Sequence, residues 1–387
     1  MFVMKNTNRT RSNLALVLAV FCLLIVASSV GKSQVIEVNR NPLLDLLPDL
    51  GSSPAPEWVV EGLRATYYAA SASSDLWRNP DMATASGASL WQIDVVERTQ
   101  DMVATFSKMY IGLDSGTTIP STVMGEINTP GAGDFWVSPG VLPAALTLEI
   151  PGFTAFKAPI TIEGREYRAI RFEYNTGQAK YVWYWEEGTG LLLLYRHYLL
   201  GATAEQRSHV EFRGLRQLNV PRTELAVRPP VGPGSEISFR GQVAVKVPGS
   251  PGLPIASVLS FQAIQVEAGA VKFSVKQTLA GQSEGQAMIV TGPAQLFDSP
   301  WLAPQSLEML TPGTVLDRDP YTGIETSVAN GKEFGFGDDV LLLRQASSDY
   351  LKVLGYDASG LLIYIYEEYV VNPMIYSTHV AEYRRIY

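Results

Sequence analysis

Apolar positions after Trp58 come in short runs rather than in long helical stripes. "LRATYYAA", "SLWQIDVVE", "MVATFSKMYIG", "EYRAIRFEY", "KYVWYWE" and "LLLLYRHYLL" are rich in β-branched and aromatic residues, with Gly, Pro, Asn and Ser between them. Such runs predict strands joined by turns. No stretch past residue 55 keeps apolar spacing of three to four residues over three turns without a breaker. The pattern therefore predicts a mainly β protein.

The pattern also returns on itself. Gly190–Arg216 and Gly360–Ile386 share five of 27 aligned positions, among them the Gly-Leu-Leu start and His209-Val210 against His379-Val380. "WQIDVVE" (91–97) matches "FQAIQVE" (261–267), and "FWVSP" (135–139) matches "PWLAP" (300–304). "EEGTG" (186–190) matches "YDASG" (356–360). Landmarks in one order at nearly constant offset predict an internal duplication. The expected architecture is two tandem homologous antiparallel β-domains, each a curved sheet or half-barrel, at 56–222 and 232–387. "VRPPVGPGS" (227–235) reads as the linker between them. Each half is expected to end in a three-stranded meander whose first loop closes on a positive-φ glycine, Gly190 or Gly360.

The N-terminus departs from this pattern. Lys5, Arg9 and Arg11 precede an uncharged apolar run from Ser12 to Gly31 that ends in small residues. Residues 1–33 read as a secretory signal, with an uncleaved N-terminal anchor as the alternative. Cys22 follows Phe21 inside the apolar run and so does not fit a lipidated cysteine. The expected location is periplasmic or extracellular. Residues 34–55 form a linker with a short helix capped by Asn41-Pro42, whose leucines Leu43, Leu44, Leu46 and Leu47 are expected to dock on the first domain.

Charge removes some partners. Residues 1–33 carry four of the 30 Lys and Arg and none of the 38 Asp and Glu, which leaves a net charge of −12 on the remainder. An acidic chain without a basic run is unsuited to nucleic acid, and membrane contact is expected only through the N-terminal segment.

Catalytic motifs are sparse. "LDSGTT", with Asp114, resembles the Asp-Thr/Ser-Gly loop of pepsin-like aspartic proteases, but that chemistry needs two carboxylates and the second half offers no partner motif. Asp114 is thus the single nominee for an alternative hydrolase reading. Asp317 and Asp319 have a calcium-loop spacing without the acidic twelfth position, so an Asp-Pro turn is expected instead. His197, His209 and His379 have no His or Cys at ligand spacing, so no metal and no cofactor is expected.

Aromatic density is the remaining signal. Trp183, Tyr184 and Trp185 are consecutive, Trp136 and Trp301 occupy matched places, and Tyr364 and Tyr366 share one strand face. These seven residues are the candidate apolar binding surface. An aromatic strand, an acidic-residue-and-Gly turn, a Leu-rich strand and a closing strand together resemble the repeated hairpins of the LolA/LppX-like periplasmic lipoprotein carriers. That resemblance implies curved half-barrels that shelter acyl chains. The expected function is a non-enzymatic envelope protein that binds an apolar or lipid-like ligand or a protein partner. A structural or interaction module without a small ligand is the alternative.

Overall fold

The computed structural model describes Leu43, residues 46–71, 86–111, 119–200, 204–220, 229–250, 252–295, 297–337, 339–372 and 377–386. The protein is mainly β, built around two large antiparallel sheets. The first contains β1 (Leu63–Ser71), β2 (Ser86–Arg98), β3 (Val103–Ile111), β4 (Ile119–Asn128) and β5 (Phe153–Lys157). A separate two-stranded hairpin, β6 (Ile160–Ile162) and β7 (Arg165–Tyr167), comes next. The first sheet then resumes with β8 (Ala169–Asn175), β9 (Ala179–Glu186), β10 (Leu192–Leu200) and β11 (Ala204–Gln217). Its strand order is β4-β3-β2-β1-β11-β10-β9-β8-β5.

The second sheet begins with β12 (Glu236–Lys246), β13 (Ile255–Glu267), β14 (Ala270–Leu279) and β15 (Gln282–Thr291). It continues with β16 (Val315–Arg318), β17 (Glu325–Asn330), β18 (Leu341–Ala346), β19 (Tyr350–Tyr356), β20 (Leu362–Asn372) and β21 (Ser377–Arg385). The order is β15-β14-β13-β12-β21-β20-β19-β18-β17-β16. Each sheet is therefore a four-strand meander joined, through its first strand, to the last strand of a second meander. Neither sheet closes: β4 and β5 end the first, β15 and β16 the second. The second repeats the order of the first and adds one strand.

Local geometry repeats as well. Gly190 and Gly360 have φ of 73° and 81°. Val137 N–H donates to Gly190 O at 2.9 Å and Leu192 N–H to Phe135 O at 3.0 Å; Leu302 N–H donates to Gly360 O at 2.8 Å and Leu362 N–H to Pro300 O at 3.0 Å. The matched segments "FWVSP" and "PWLAP" thus each stitch onto a matched hairpin loop. A Cβ on either glycine would stand 1.9 Å from a carbonyl oxygen, that of Val137 or Leu302. Both the positive φ and the close approach require glycine. Each stitch leads into a one-turn helix, α1 (Leu142–Ala145) or α2 (Pro304–Glu308), that begins on a proline segment.

The first core joins Trp91, Phe135, Trp136, Leu142, Ile170, Phe172, Trp183, Trp185 and Tyr195 with Leu43, Leu46, Leu47 and Leu50 of the N-terminal segment. The described leucines of that segment therefore dock on the first sheet. The expected helix itself lies partly outside the described residues, and Pro48 opens a 3-10 turn, Pro48–Gly51. The second core centres on Phe239, Phe261, Phe273, Leu343, Leu354, Tyr356 and Ile365. It also takes in Val96, Met102, Ala104 and Phe106 from β2, β3 and the turn between them. Strand alternation explains this: Thr105, Ser107 and Met109 point to one side of β3, and Ala104, Phe106, Lys108 and Tyr110 to the other. Nearly all of β3 is buried, because both of its sides are covered.

Candidate functional site

Among the described residues, two openings lie beside charged groups: a charged seam between the sheets and an open cleft at the surface of the second half.

The seam is lined from the first sheet by Arg64, Gln92, Asp94, Phe106, Lys108 and Tyr110. Cross-strand pairing puts Arg64 beside Asp94 and Gln92 beside Lys108 on one face. The Arg64 guanidinium donates through Nε and Nη2 to the two Asp94 oxygens at 2.6 Å each, and through Nη1 to Asp319 Oδ2 at 3.1 Å. Arg216 pairs with Asp317 and donates from Nη2 to Asp319 Oδ2 at 2.8 Å. Gln92 Nε2 donates to the same oxygen at 2.7 Å. The other Asp319 oxygen accepts the Tyr321 and Thr322 N–H groups at 2.8 and 3.0 Å and so turns β16 into β17. This is the Asp-Pro turn expected from the spacing, with arginines where a calcium ion would have to sit. Burial by itself would raise the Asp319 pKa, but Arg64, the Thr322 N–H, Arg216 and Gln92 together hold it at about 2.

Deeper in the seam Asp298 bridges Lys108 of the first half and Lys352 of the second. Asp298 has a φ of 63°, a conformation Asp tolerates better than most side chains. Burial works against its charge, yet the two ammonium groups drive its pKa far down. Burial also lowers the pKa of Lys108, which the attraction of Asp298 only partly offsets, with Lys352 and Arg64 acting in the same direction as burial. Lys352 is raised, because Asp298 and Glu367 together overcome its burial. The opening left between these groups is only about 50 Å³, room for a few waters. A carboxylate held by two cations in so small a space fastens one sheet to the other.

A third contact joins β2 to the turn between β13 and β14. Glu97 Oε1 accepts the Gly269 N–H at 2.7 Å, while Oε2 is buried with no hydrogen-bond partner among the described residues. Burial raises this carboxyl to about 7, the Gly269 bond opposing the shift.

The second opening, of about 390 Å³, lies at the start of β18 and the end of β19, beside Leu341 and Tyr356. Pro304, Leu307, Leu310, Leu341 and Tyr356 give it apolar walls, and Glu308, Asp339 and Asp357 stand among its lining residues. Strand register identifies the matching place in the first half. Trp185 faces Leu192 as Tyr356 faces Leu362, and Ile170 faces Trp185 as Leu341 faces Tyr356. Leu142 and Ala145 of α1 correspond to Leu307 and Leu310. In the first half all four counterparts sit in the core; in the second, Leu307, Leu310 and Tyr356 are core residues and Leu341 packs against them. Between β5 and β8 the chain makes the β6-β7 hairpin, which sends Ile162 and Tyr167 into that core. Between β17 and β18 it makes instead a 3-10 turn, Gly331–Phe334, and Phe334 and Phe336 pack on the opposite face of the sheet. There the Phe336 ring meets Tyr364 edge-on at 4.9 Å. The cavity exists because this segment folds to the other side.

The seven aromatic candidates are distributed differently. Trp136, Trp183 and Trp185 are fully buried in the first core, and Tyr184 packs against it with the Arg171 guanidinium over its ring. Trp301 is buried beside the Gly360 loop. Tyr364 and Tyr366 belong to the outer cluster of the second sheet, the latter donating its hydroxyl to Glu368. None of the seven lines either opening. Asp114 lies outside the described residues. His209 Nδ1 accepts from Arg196 Nε at 3.2 Å, and His379 stacks on Tyr369 with ring centroids 4.5 Å apart. Burial lowers the pKa of both histidines. Among the described residues no group of three or more His, Cys, Asp or Glu side chains is placed to hold a metal, and no helix is long and apolar enough to cross a membrane.

The seam was hidden from sequence reading because its charges are isolated along the chain. Their one local trace is a charged residue set singly within an apolar strand, such as Asp94 in "WQIDVVE" or Lys108 in "FSKMY".

No protein-family model matches the chain, and no curated protein matches it either. Among solved structures it is similar to a protein of unknown function from the DUF3598 family of Nostoc punctiforme PCC 73102. The two are 10% identical, and the alignment covers 84% of this chain and 96% of that one with a TM-score of 0.16.

Proposed function

We propose that the chain is an exported, non-enzymatic envelope protein that binds an apolar ligand in the cavity of its second half. The observation that carries this reading is the unequal treatment of one position. The first half fills the space over its inner sheet with Ile162 and Tyr167, whereas the second turns Phe334 and Phe336 away and leaves about 390 Å³ open. An opening of that size with mostly apolar walls suits a small ligand. The basic and then apolar N-terminus supports export, and Arg64, Lys108, Arg216 and Lys352 of the seam are each paired with a carboxylate. Descent of the two halves from one duplicated unit belongs to the same reading, supported by the shared strand order and the paired glycine stitches.

Diphenylhexatriene, which fluoresces strongly only out of water, tests it. The purified protein should bind the probe with a stoichiometry near one. Leu307→Trp, which places an indole in the opening, should remove binding, and Leu310→Trp provides a second variant should the first fail to fold. Absence of binding by the unaltered protein, or unchanged binding in a folded tryptophan variant, overturns the proposal.

A further inference from the structure

The cavity's charged residues narrow the kind of ligand it takes. Its acidic lining residues are Glu308, Asp339 and Asp357, and no Lys or Arg lines it. Glu308 and Asp339 are exposed and have no ion-pair partner among the described residues. Asp357 is partly engaged: Oδ1 accepts the Ser359 and Leu361 N–H groups at 2.9 and 3.1 Å, and Arg385 stands 3.9 Å from Oδ2. The seam shows the opposite arrangement, where Asp94, Asp298, Asp317 and Asp319 each face at least one Arg or Lys. The acidic character is also particular to this half. The positions matching Glu308 and Asp339 in the first half are Pro143 and Arg168.

Resting on the reading that the cleft binds a ligand, we infer that this ligand is an amphipathic organic cation, its apolar body against Leu307, Leu310 and Leu341 and its positive group beside Glu308 and Asp339. An apolar body held by hydrophobic burial brings a cation near two exposed carboxylates, which attract it most strongly at low ionic strength. An anionic ligand would meet repulsion at the same place.

Three probes with one body separate the possibilities: neutral diphenylhexatriene, its trimethylammonium derivative and its propionate derivative, titrated at low ionic strength. The cationic probe should bind about tenfold more tightly than the neutral one, and the anionic probe more weakly than either. In Glu308→Gln/Asp339→Asn the cationic advantage should shrink to within about twofold while neutral binding stays unchanged, and salt should erode it in the unaltered protein. Equal binding of neutral and cationic probes, or an advantage that survives the double substitution, overturns the inference and leaves the cavity as an uncharged apolar site. Failure of all three probes overturns the binding reading itself.

Discussion

The two halves share nine strands in one order, a positive-φ glycine in the same loop and a Trp-bearing segment stitched to that loop. They differ in what lies over the inner face. The first half is closed by the β6-β7 hairpin and by Leu43, Leu46, Leu47 and Leu50; the second is covered by α2 and by Val96, Met102, Ala104 and Phe106 of β2, β3 and their turn, with the cleft open beside α2. Strand pairing and loop stitching tolerate one solution in both halves, because they are backbone geometry. Core closure is a matter of side-chain volume, and there the halves diverge. Topology is thus held in common while the capacity to take a guest is not.

The largest expected effect concerns what the halves share. Asp298→Ala leaves Lys108 and Lys352 buried without their common partner and should cost about 3–5 kcal/mol. Chemical denaturation should show the loss in the transition of the whole molecule. A loss confined to second-half probes would mean that the seam is no fastening.

Next comes the matched pair Leu142→Ala and Leu307→Ala. The first opens a new void in a filled core and should cost about 3–4 kcal/mol; the second enlarges an existing one and should cost about 1–2 kcal/mol. Equal costs would erase the claimed difference between the cores. Gly190→Ala and Gly360→Ala run the other way: each drives a Cβ against a carbonyl, so both should cost about 2–3 kcal/mol in similar measure. A large disparity there would break the likeness of the two loops.

The smallest effects are in pH. Glu97 has a folded pKa of about 7, above its usual 4.5, so its protonation favours the folded state. That stabilisation is complete below about pH 4.5 and is lost as pH rises through 7. Glu97→Gln should flatten thermal stability across this window by about 1 kcal/mol, allowing for partial screening. Asp319 has the opposite sign, its contribution persisting above about pH 4 and disappearing as pH falls towards 2. Glu97→Gln should leave this acid limb unchanged.

Much of the fold was legible from residue patterns. "KYVWYWE" is β9, Gly190 and Gly360 are left-handed, and "FWVSP" and "PWLAP" occupy equivalent places, because strand alternation and turn stereochemistry are local. The candidate site was far less legible. Trp183 and Trp185 advertise an apolar surface equally well whether they face a ligand or a packed core, and only the position of the chain opposite them decides. Leu307 lies in a helix of one turn, Leu310 just past its end and Leu341 at the margin of a strand, where no periodicity marks them. The direction taken by ten residues between β17 and β18 determines the cavity, and that direction depends on Tyr364 and Arg384 offering Phe336 a seat far along the chain.

Finally, the second core's use of Val96, Met102, Ala104 and Phe106 bears on how the molecule is made. A ribosome delivers those side chains well before β12 to β15 exist to cover them. For that interval the newly formed first sheet presents a greasy flank to the crowded surroundings of synthesis, where such surfaces adhere to one another. Chaperone dependence during biogenesis should therefore track that flank, and Phe106→Ser should relieve it at the expense of the finished protein.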